Sequence, residues 1–494
     1  MGVIKRQGIK QSLVNYFAVA IGAVSVIFIY PLDRETYGLA RFIIDGAMFI
    51  APFLMLGFSS VTIRFFPQFK NEKKGHNGFL FFVLSGVVVG SLLFLFFASA
   101  FKEPFYNLYA KKPPLYQEYL MYLIPIAIVL AFFQLFYNYS SNFKRIVVPA
   151  LYQNLIKITL PVLILLYIWG TITLDTLINV ILVNYVVALT GLVLYVYWLG
   201  ELKLKPNFEF FDKQLLKKIA NYAFYGLFGG IGSVLAFRID SLMISTLIDF
   251  ENNGTYAIAL FIANVIAIPT NAINQITAPI LSEAFKENDL AHVKMLYQRS
   301  SINLLVVGLF LFIGIVASVG DLFSLMPESD ELQAGLAVVF FIGLSRIVDM
   351  GTSINNQIID YSKFYRFRLY ALLLLAVFNV VCNLIFIPKF QIAGAAMATL
   401  ASITLYNLVK FIYIKWKLDL QPFSINTLKI LGIALITFAT AYFVPLTEIP
   451  VLNIIIRSAI IGAVYMFLVL FFKISPDIED LLKGGLSWLK NKIN

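Results

Sequence analysis

Apolar runs of about twenty residues recur fourteen times along this 494-residue chain, with short loops between them. The hydrocarbon core of a bilayer is ~30 Å thick and an α-helix rises ~1.5 Å per residue, so one crossing takes ~20 mostly apolar residues. Lipid offers backbone N–H and C=O groups no partner, so an isolated crossing segment has to bond within itself, as a helix does. The spacing predicts spans near 11–30, 37–63, 78–101, 119–139, 146–169, 174–199, 219–248, 254–280, 300–325, 333–359, 368–387, 393–415, 428–446 and 452–472. The expected fold class is therefore an all-α polytopic membrane protein of about 14 transmembrane helices.

Charge sets the orientation. Of the 38 lysines and arginines, 26 lie in the tails and in every second loop, and 5 lie in the opposite loops. Positive residues concentrate on the cytoplasmic side, which places both termini in the cytoplasm and makes the span count even. The net charge of +11 thus belongs to loops that face anionic headgroups, and no basic globular module exists to bind nucleic acid. Only 13% of residues are charged, about half the level of a soluble domain, which leaves no room for a separate soluble unit. Ala18-Val19-Ala20 imitates a signal-cleavage site, but the apolar run continues through Ile29, so the first helix is read as uncleaved. Cys382 stands alone inside an apolar run, and His76 and His292 fall in loops, so no metal ligands, catalytic residues or cofactor are expected. The longest opposite-side loop, about 102–118, is too short for an external domain.

Fragments recur at a six-span period. Tyr197, Leu202, Leu204 and Pro206 match Tyr413, Leu418, Leu420 and Pro422, and Asn15-Tyr16 matches Asn221-Tyr222. An even period preserves orientation, which suggests two parallel six-helix lobes. The expected organisation is an N-terminal lobe at 1–206, an amphipathic cytoplasmic linker at 207–218 and a C-terminal lobe at 219–422. Helices 13 and 14 would follow at 423–473, with an amphipathic tail at 474–494. Both amphipathic segments alternate apolar residues with lysine, as interfacial helices do.

Charges inside spans carry the functional information, because one near the bilayer centre costs at least ~2.5–3.5 kcal/mol on insertion scales and normally faces a partner or a wet cavity. Span 2 holds Arg41 and Asp45, span 5 Lys157, span 7 Arg238 and Asp240, and span 10 Arg346 and Asp349. The i, i+4 and i, i+3 spacings of Arg41–Asp45 and Arg346–Asp349 fit simple intrahelical ion pairs. Lys157 has no acidic neighbour in its own helix, and Arg238 and Asp240 point to different faces. Those two facts favour a cationic central cavity lined by Arg41, Lys157, Arg238 and Arg346. Asn264, Asn271 and Asn274 share one face of span 8 and could bond sugar hydroxyls there; interhelical hydrogen bonding explains them equally well. Asp45, Asp240 and Asp349 would balance charge or couple transport to H⁺ or Na⁺. Arg64, Lys410 and Arg457 lie nearer helix ends, where long side chains can snorkel.

Several fragments resemble a known family. They are the Lys/Arg cluster before span 1, Tyr37-Gly38-Leu39-Ala40, and Gly57-Phe58-Ser59-Ser60 leading to Arg64-Phe65-Phe66-Pro67. Arg238-Ile239-Asp240 and Gly254-Thr255-Tyr256-Ala257-Ile258-Ala259, with Pro279 closing span 8, complete the set. Together they resemble the Wzx-type polysaccharide flippases of the multidrug/oligosaccharidyl-lipid/polysaccharide (MOP) exporter superfamily, with the lipid II flippase MurJ as a fourteen-helix relative. The resemblance implies a V-shaped, MATE-like pair of six-helix bundles plus two C-terminal helices, working by alternating access in the bacterial cytoplasmic (inner) membrane. It also implies a lipid-linked oligosaccharide substrate carried on undecaprenyl diphosphate, for surface polysaccharide such as O-antigen. Membrane lipids and other polysaccharide assembly proteins are the partners it suggests. Two other functions compete. A MATE-type cation or drug antiporter would want a net acidic cavity, and a membrane glycosyltransferase or polymerase would want a large loop with catalytic acids.

Overall fold

The apolar runs are helical throughout the computed structural model, which describes residues 3–100, 118–444 and 447–477, and no strand occurs among them. The chain divides into two compact units, Met1–Gly254 and Thr255–Asn494. The first contains α1 (Val3–Phe28), α2 (Arg34–Met55), α3 (Phe58–Phe69), α4 (Phe79–Ala100), α5 (Leu123–Ser141), α6 (Val147–Gln153), α7 (Leu155–Ile168), α8 (Leu174–Trp198) and α9 (Lys213–Leu247). α10 (Phe250–Asn264) crosses the boundary, and α11 (Ile268–Lys286), α12 (Leu290–Ser324), α13 (Ser329–Leu332), α14 (Gly335–Thr352) and α15 (Asn355–Tyr361) follow. α16 (Phe367–Leu418), α17 (Ile425–Tyr442) and α18 (Pro450–Phe471) complete the second unit.

Twelve of the described helical segments are long and apolar enough to cross a membrane, and the apolar part of α1, Leu13–Phe28, is shorter. α16 is two spans in one. At Gln391 the backbone leaves helical space (φ 52°, ψ −132°) and the chain doubles back, so that Phe367 near one end stacks on Tyr413 near the other, with ring centroids 3.6 Å apart. Counting α1 once and α16 twice gives about fourteen crossings. Large apolar side chains stay uncovered along them, such as Leu435 (72% exposed) and Phe467 (65%). Surfaces of that kind need lipid rather than water as solvent. This is a multi-pass membrane protein.

Two expected spans are interrupted at residues of positive φ. The run at 37–63 breaks at Leu56 and Gly57, both in left-handed conformation, before α3 begins. Gly57 combines φ +80° with a close approach: a Cβ there would collide with the Ala223 carbonyl of α9. The run at 333–359 breaks at Ser353 (φ 48°), which separates α14 from α15. Span 8 bends where Pro269 opens α11 after a short 3₁₀ turn, since proline leaves its carbonyl partner unbonded.

The linker expected at 207–218 as a separate interfacial helix has a different structure. Phe208–Phe210 form a 3₁₀ turn, and Lys213 already belongs to α9, which Asp212 caps by accepting from the Leu215 N–H at 2.6 Å. Phe210 and Phe211 lie against Phe69, with ring centroids 4.8 and 5.4 Å away, and Phe211 also meets Phe82 at 4.6 Å. Just upstream, Glu201 Oε2 lies 2.8 Å from Nε2 of His76, a buried residue of the turn between α3 and α4 whose Nδ1 accepts from the Asn71 N–H. The connector is thus seated on the first unit. α9, expected to open the second lobe, packs on α2 and α3, and the compact units part at Gly254. Of the tail expected at 474–494, Ile474 and Ser475 are buried, and Ser475 donates to Asn303 of α12 at 2.5 Å. The remainder of that tail, and the 102–117 part of the external loop, lie outside the described residues.

Candidate functional site

α2 and α9 bring three of the expected residues together. Asp45 lies mid-way along α2 with its side chain only 1% exposed. Arg41, one turn earlier, places Nη2 2.9 Å from Asp45 Oδ2, and Arg238 of α9 donates from Nη1 to Asp45 Oδ1. Small residues allow α9 to come this close: a Cβ at Gly226 would stand 3.0 Å from Ser60, and one at Gly230 3.3 Å from Pro52. The Arg41–Asp45 ion pair expected from i, i+4 spacing exists, but it is one arm of a triad. Two guanidinium groups share one carboxylate, so one positive charge is left over. Both guanidinium groups keep access to solvent, with side chains 28% and 36% exposed, while the carboxylate has almost none. Tyr30 and Tyr37 stack beside Arg41 with centroids 3.9 Å apart. Such an arrangement presents planar, permanently charged donors to an entering anion and holds them at rest on an internal one.

The other expected residues are placed differently. Asp240 is buried on α9, next to Ser241, whose hydroxyl donates to Asn253 at 2.9 Å. Lys157 on α7 is exposed, and among the described residues no carboxylate lies within ion-pair distance of it. In the second unit Arg346 and Asp349 do not form their expected i, i+3 pair. Arg346 Nε donates to Asn264 Oδ1 at 3.0 Å, and Asp349 Oδ1 accepts from Asn407 Nδ2 at 3.1 Å. Asn271 is exposed, whereas the Asn274 carbonyl accepts from Gln357 Nε2 at 2.7 Å. The Asn264 side chain therefore takes part in hydrogen bonding between helices in this structure, while Asn274 does so through its main-chain carbonyl.

Two basic residues expected to snorkel do not. Lys410 is fully buried, and its Nζ donates to Asn355 Oδ1 and Asn356 Oδ1, each at 3.0 Å, beneath the Tyr406 ring. Arg457 of α18 donates from Nη1 to the Ala317 carbonyl at 2.6 Å and to Asp321 Oδ2 at 3.0 Å, tying the C-terminal helices to α12. The sequence signals were the amide pair Asn355-Asn356 and the spacing of Tyr406, Asn407 and Lys410 on one helix face.

Comparison with known proteins agrees with this architecture. The family described as "Polysaccharide biosynthesis protein" matches residues 7–285. "Probable flippase AglR" of Haloferax volcanii is 24% identical over 195 residues, which is 38% of this chain and 40% of that relative, so the match spans about two fifths of the relative's length. Among solved structures, lipid II flippase MurJ in an inward closed conformation superposes with a TM-score of 0.70 at 16% identity, covering 94% of this chain and 99% of that one. An inward-facing multidrug resistance MATE family transporter of the MOP superfamily gives 0.59 at 16% identity, covering 83% and 94%. At these identities the two structures speak for the fold, which is that of MurJ and the MATE transporters. The family match takes in more than half of the chain, and the protein belongs to the polysaccharide biosynthesis protein family.

Proposed function

We propose that this protein is a flippase that moves a lipid-linked oligosaccharide, carried on a polyprenyl diphosphate such as undecaprenyl diphosphate, across the cytoplasmic membrane by alternating access. The observation that carries this reading is the triad of Arg41, Asp45 and Arg238, which holds more positive than negative charge inside a membrane protein. A diphosphate entering a low-dielectric path needs countercharge, and guanidinium groups supply it with bidentate geometry. Asp45 keeps the arginines compensated when no substrate is present. Family membership and the flippase relative support the same reading. Lys157, exposed and with no carboxylate in ion-pair distance among the described residues, would be a further cation of the first unit; in the second unit Arg346 would supply another, and the amides of Asn264, Asn271 and Asn274 would suit sugar hydroxyls. Both termini would be cytoplasmic, and the protein would act beside other polysaccharide assembly proteins without catalysing a covalent step.

The test is translocation in proteoliposomes that hold an undecaprenyl-diphosphate oligosaccharide. Arg238→Ala removes a charge-assisted contact, and a loss of ~1.4 kcal/mol is a tenfold fall in binding. We expect about that fall in translocation with protein abundance unchanged. Wild-type transport by the variant would remove the basis of the proposal, and selective binding of organic cations instead would favour the antiporter.

A further inference from the structure

The arginine triad has a fourth neighbour in the first unit, and its hydroxyl bonds to nothing. Tyr185 lies midway along α8, a helix that Asn184 fixes to α7 by donating to Thr159 Oγ1 at 2.9 Å. α8 packs on α5 and α5 on α2. Tyr185 reaches from α8 toward the buried side of α2, where the charges of Asp45, Arg41 and Arg238 all act on its hydroxyl. The residue is 6% exposed, and its hydroxyl is buried with no hydrogen-bond partner among the described residues. Asp45 has an opening to match. Its Oδ2 meets Arg41 as an ion pair at 2.9 Å but accepts no hydrogen bond of good geometry. An orphan donor and an orphan acceptor thus lie in one wall, near each other and not joined. Tyr297 on α12 has an equally unpartnered hydroxyl, but no charged group among the described residues acts on it. A buried hydroxyl without a partner costs free energy that phenylalanine in the same space would not, and native proteins leave few such groups.

We infer that Tyr185 is a reserve donor to Asp45: when an anionic headgroup draws the two arginines away, its hydroxyl takes their place on the carboxylate. The inference rests on the transport reading above and adds to it a positioning residue that neither spacing nor family resemblance singled out. Three features carry it. Exposure divides the roles. Both guanidinium groups keep access to solvent, whereas Asp45 and the Tyr185 hydroxyl have almost none, so an entering phosphate meets the arginines and not these two. Charge comes next. Two cations on one carboxylate allow one to leave without stranding it, but a diphosphate in bidentate contact engages both. A buried carboxylate deserted by both is an uncompensated charge, and that cost counts against substrate binding. A donor already inside the wall lowers the cost. The third feature is reversibility. The phenol is an O–H donor with no charge of its own, so it holds a carboxylate less strongly than a guanidinium does, and the arginines can return when the substrate leaves.

The test begins without substrate. Arg238→Ala takes one arm off Asp45 permanently, as a bound anion would do in passing. In purified full-length protein, Tyr185→Phe alone should leave the thermal midpoint unchanged or raise it. In the Arg238→Ala background the same change should lower the midpoint by about 2 °C. A loss as large in wild type as in Arg238→Ala means that the hydroxyl has a partner at rest, and a loss in neither means that it never reaches Asp45; each overturns the inference. A second arm titrates inorganic pyrophosphate. Tyr185→Phe should weaken its binding about tenfold, and should leave it unchanged in Asp45→Asn, which has no carboxylate to support. Equal weakening in both backgrounds would show the hydroxyl on the anion itself, and wild-type binding by Tyr185→Phe would show it idle; either result overturns the inference. If wild type fails to bind pyrophosphate while the thermal cycle shows the coupling, the flippase reading falls and the reserve donor stands.

Discussion

Replacing Asp45 by asparagine separates the two ways of reading the arginine triad. If Asp45 is an internal stand-in for substrate phosphate, removing its charge has opposite effects on stability and on anion binding. Breaking a buried pair by deleting one partner costs ~3–5 kcal/mol. Here the partners that remain are guanidinium groups 28% and 36% exposed, which solvent can partly stabilise. A loss of ~2 kcal/mol is therefore the better estimate, or roughly 2–4 °C in the thermal midpoint for a chain this long. The same two cations, freed of their carboxylate, should hold a diphosphate more tightly. Regaining even ~1.4 kcal/mol of the lost pairing would raise affinity tenfold. The assay is a pair of titrations with inorganic pyrophosphate, in the presence and absence of salt, on purified wild type and Asp45→Asn, with thermal unfolding followed alongside. The expected result is a variant that is less stable, binds pyrophosphate about tenfold tighter and turns over lipid-linked substrate more slowly because release is delayed. If Asp45→Asn instead loses binding to the same degree as Arg238→Ala, Asp45 serves only to aim the arginines, and the competition argument is wrong.

The remaining predictions concern packing and charge elsewhere. Gly57→Ala should lower stability by at least ~1 kcal/mol, since it adds a positive-φ penalty to a collision with the Ala223 carbonyl; thermal unfolding in detergent reads it. Lys157→Ala should leave the thermal midpoint unchanged, within ~0.5 kcal/mol, because the side chain is exposed and pairs with no described carboxylate, so any transport defect it shows belongs to function. Arg457→Met should cost ~3 kcal/mol by leaving the Asp321 carboxylate with the Asn453 amide but no countercharge in contact, and Asp321→Asn in the same chain should recover most of it; a cycle of the four proteins that is additive would refute the pairing.

The crossings were legible in the sequence because lipid imposes one rule on every span, and a run of apolar residues satisfies it locally. The interruptions at Leu56–Gly57 and Ser353 were not. Nothing in the hydropathy of 37–63 announces that the backbone of α9 will come up against Gly57, a contact made by residues far along the chain. The same limit governed the charges. Local spacing found Arg41–Asp45, yet Asp45 is also held by Arg238, 193 residues away. Spacing also suggested Arg346–Asp349, which loses to Asn264 and Asn407 because each side chain meets a better-placed amide on another helix. Lys410 sits toward the end of a span, where a long side chain could reach water; helix packing encloses it instead.

The docked connector between α8 and α9 has a practical consequence. Residues 199–212 read like the tether that a protease would find first: polar, lysine-containing and between two long helices. Proteases cut where a stretch can unfold to enter their cleft, and this one is anchored by Glu201 at its start and by Phe210 and Phe211 near its end. Trypsin acting on intact membranes should therefore spare Lys203 for as long as the aromatic seat holds, and begin to cut there once Phe211 is replaced by a small polar residue.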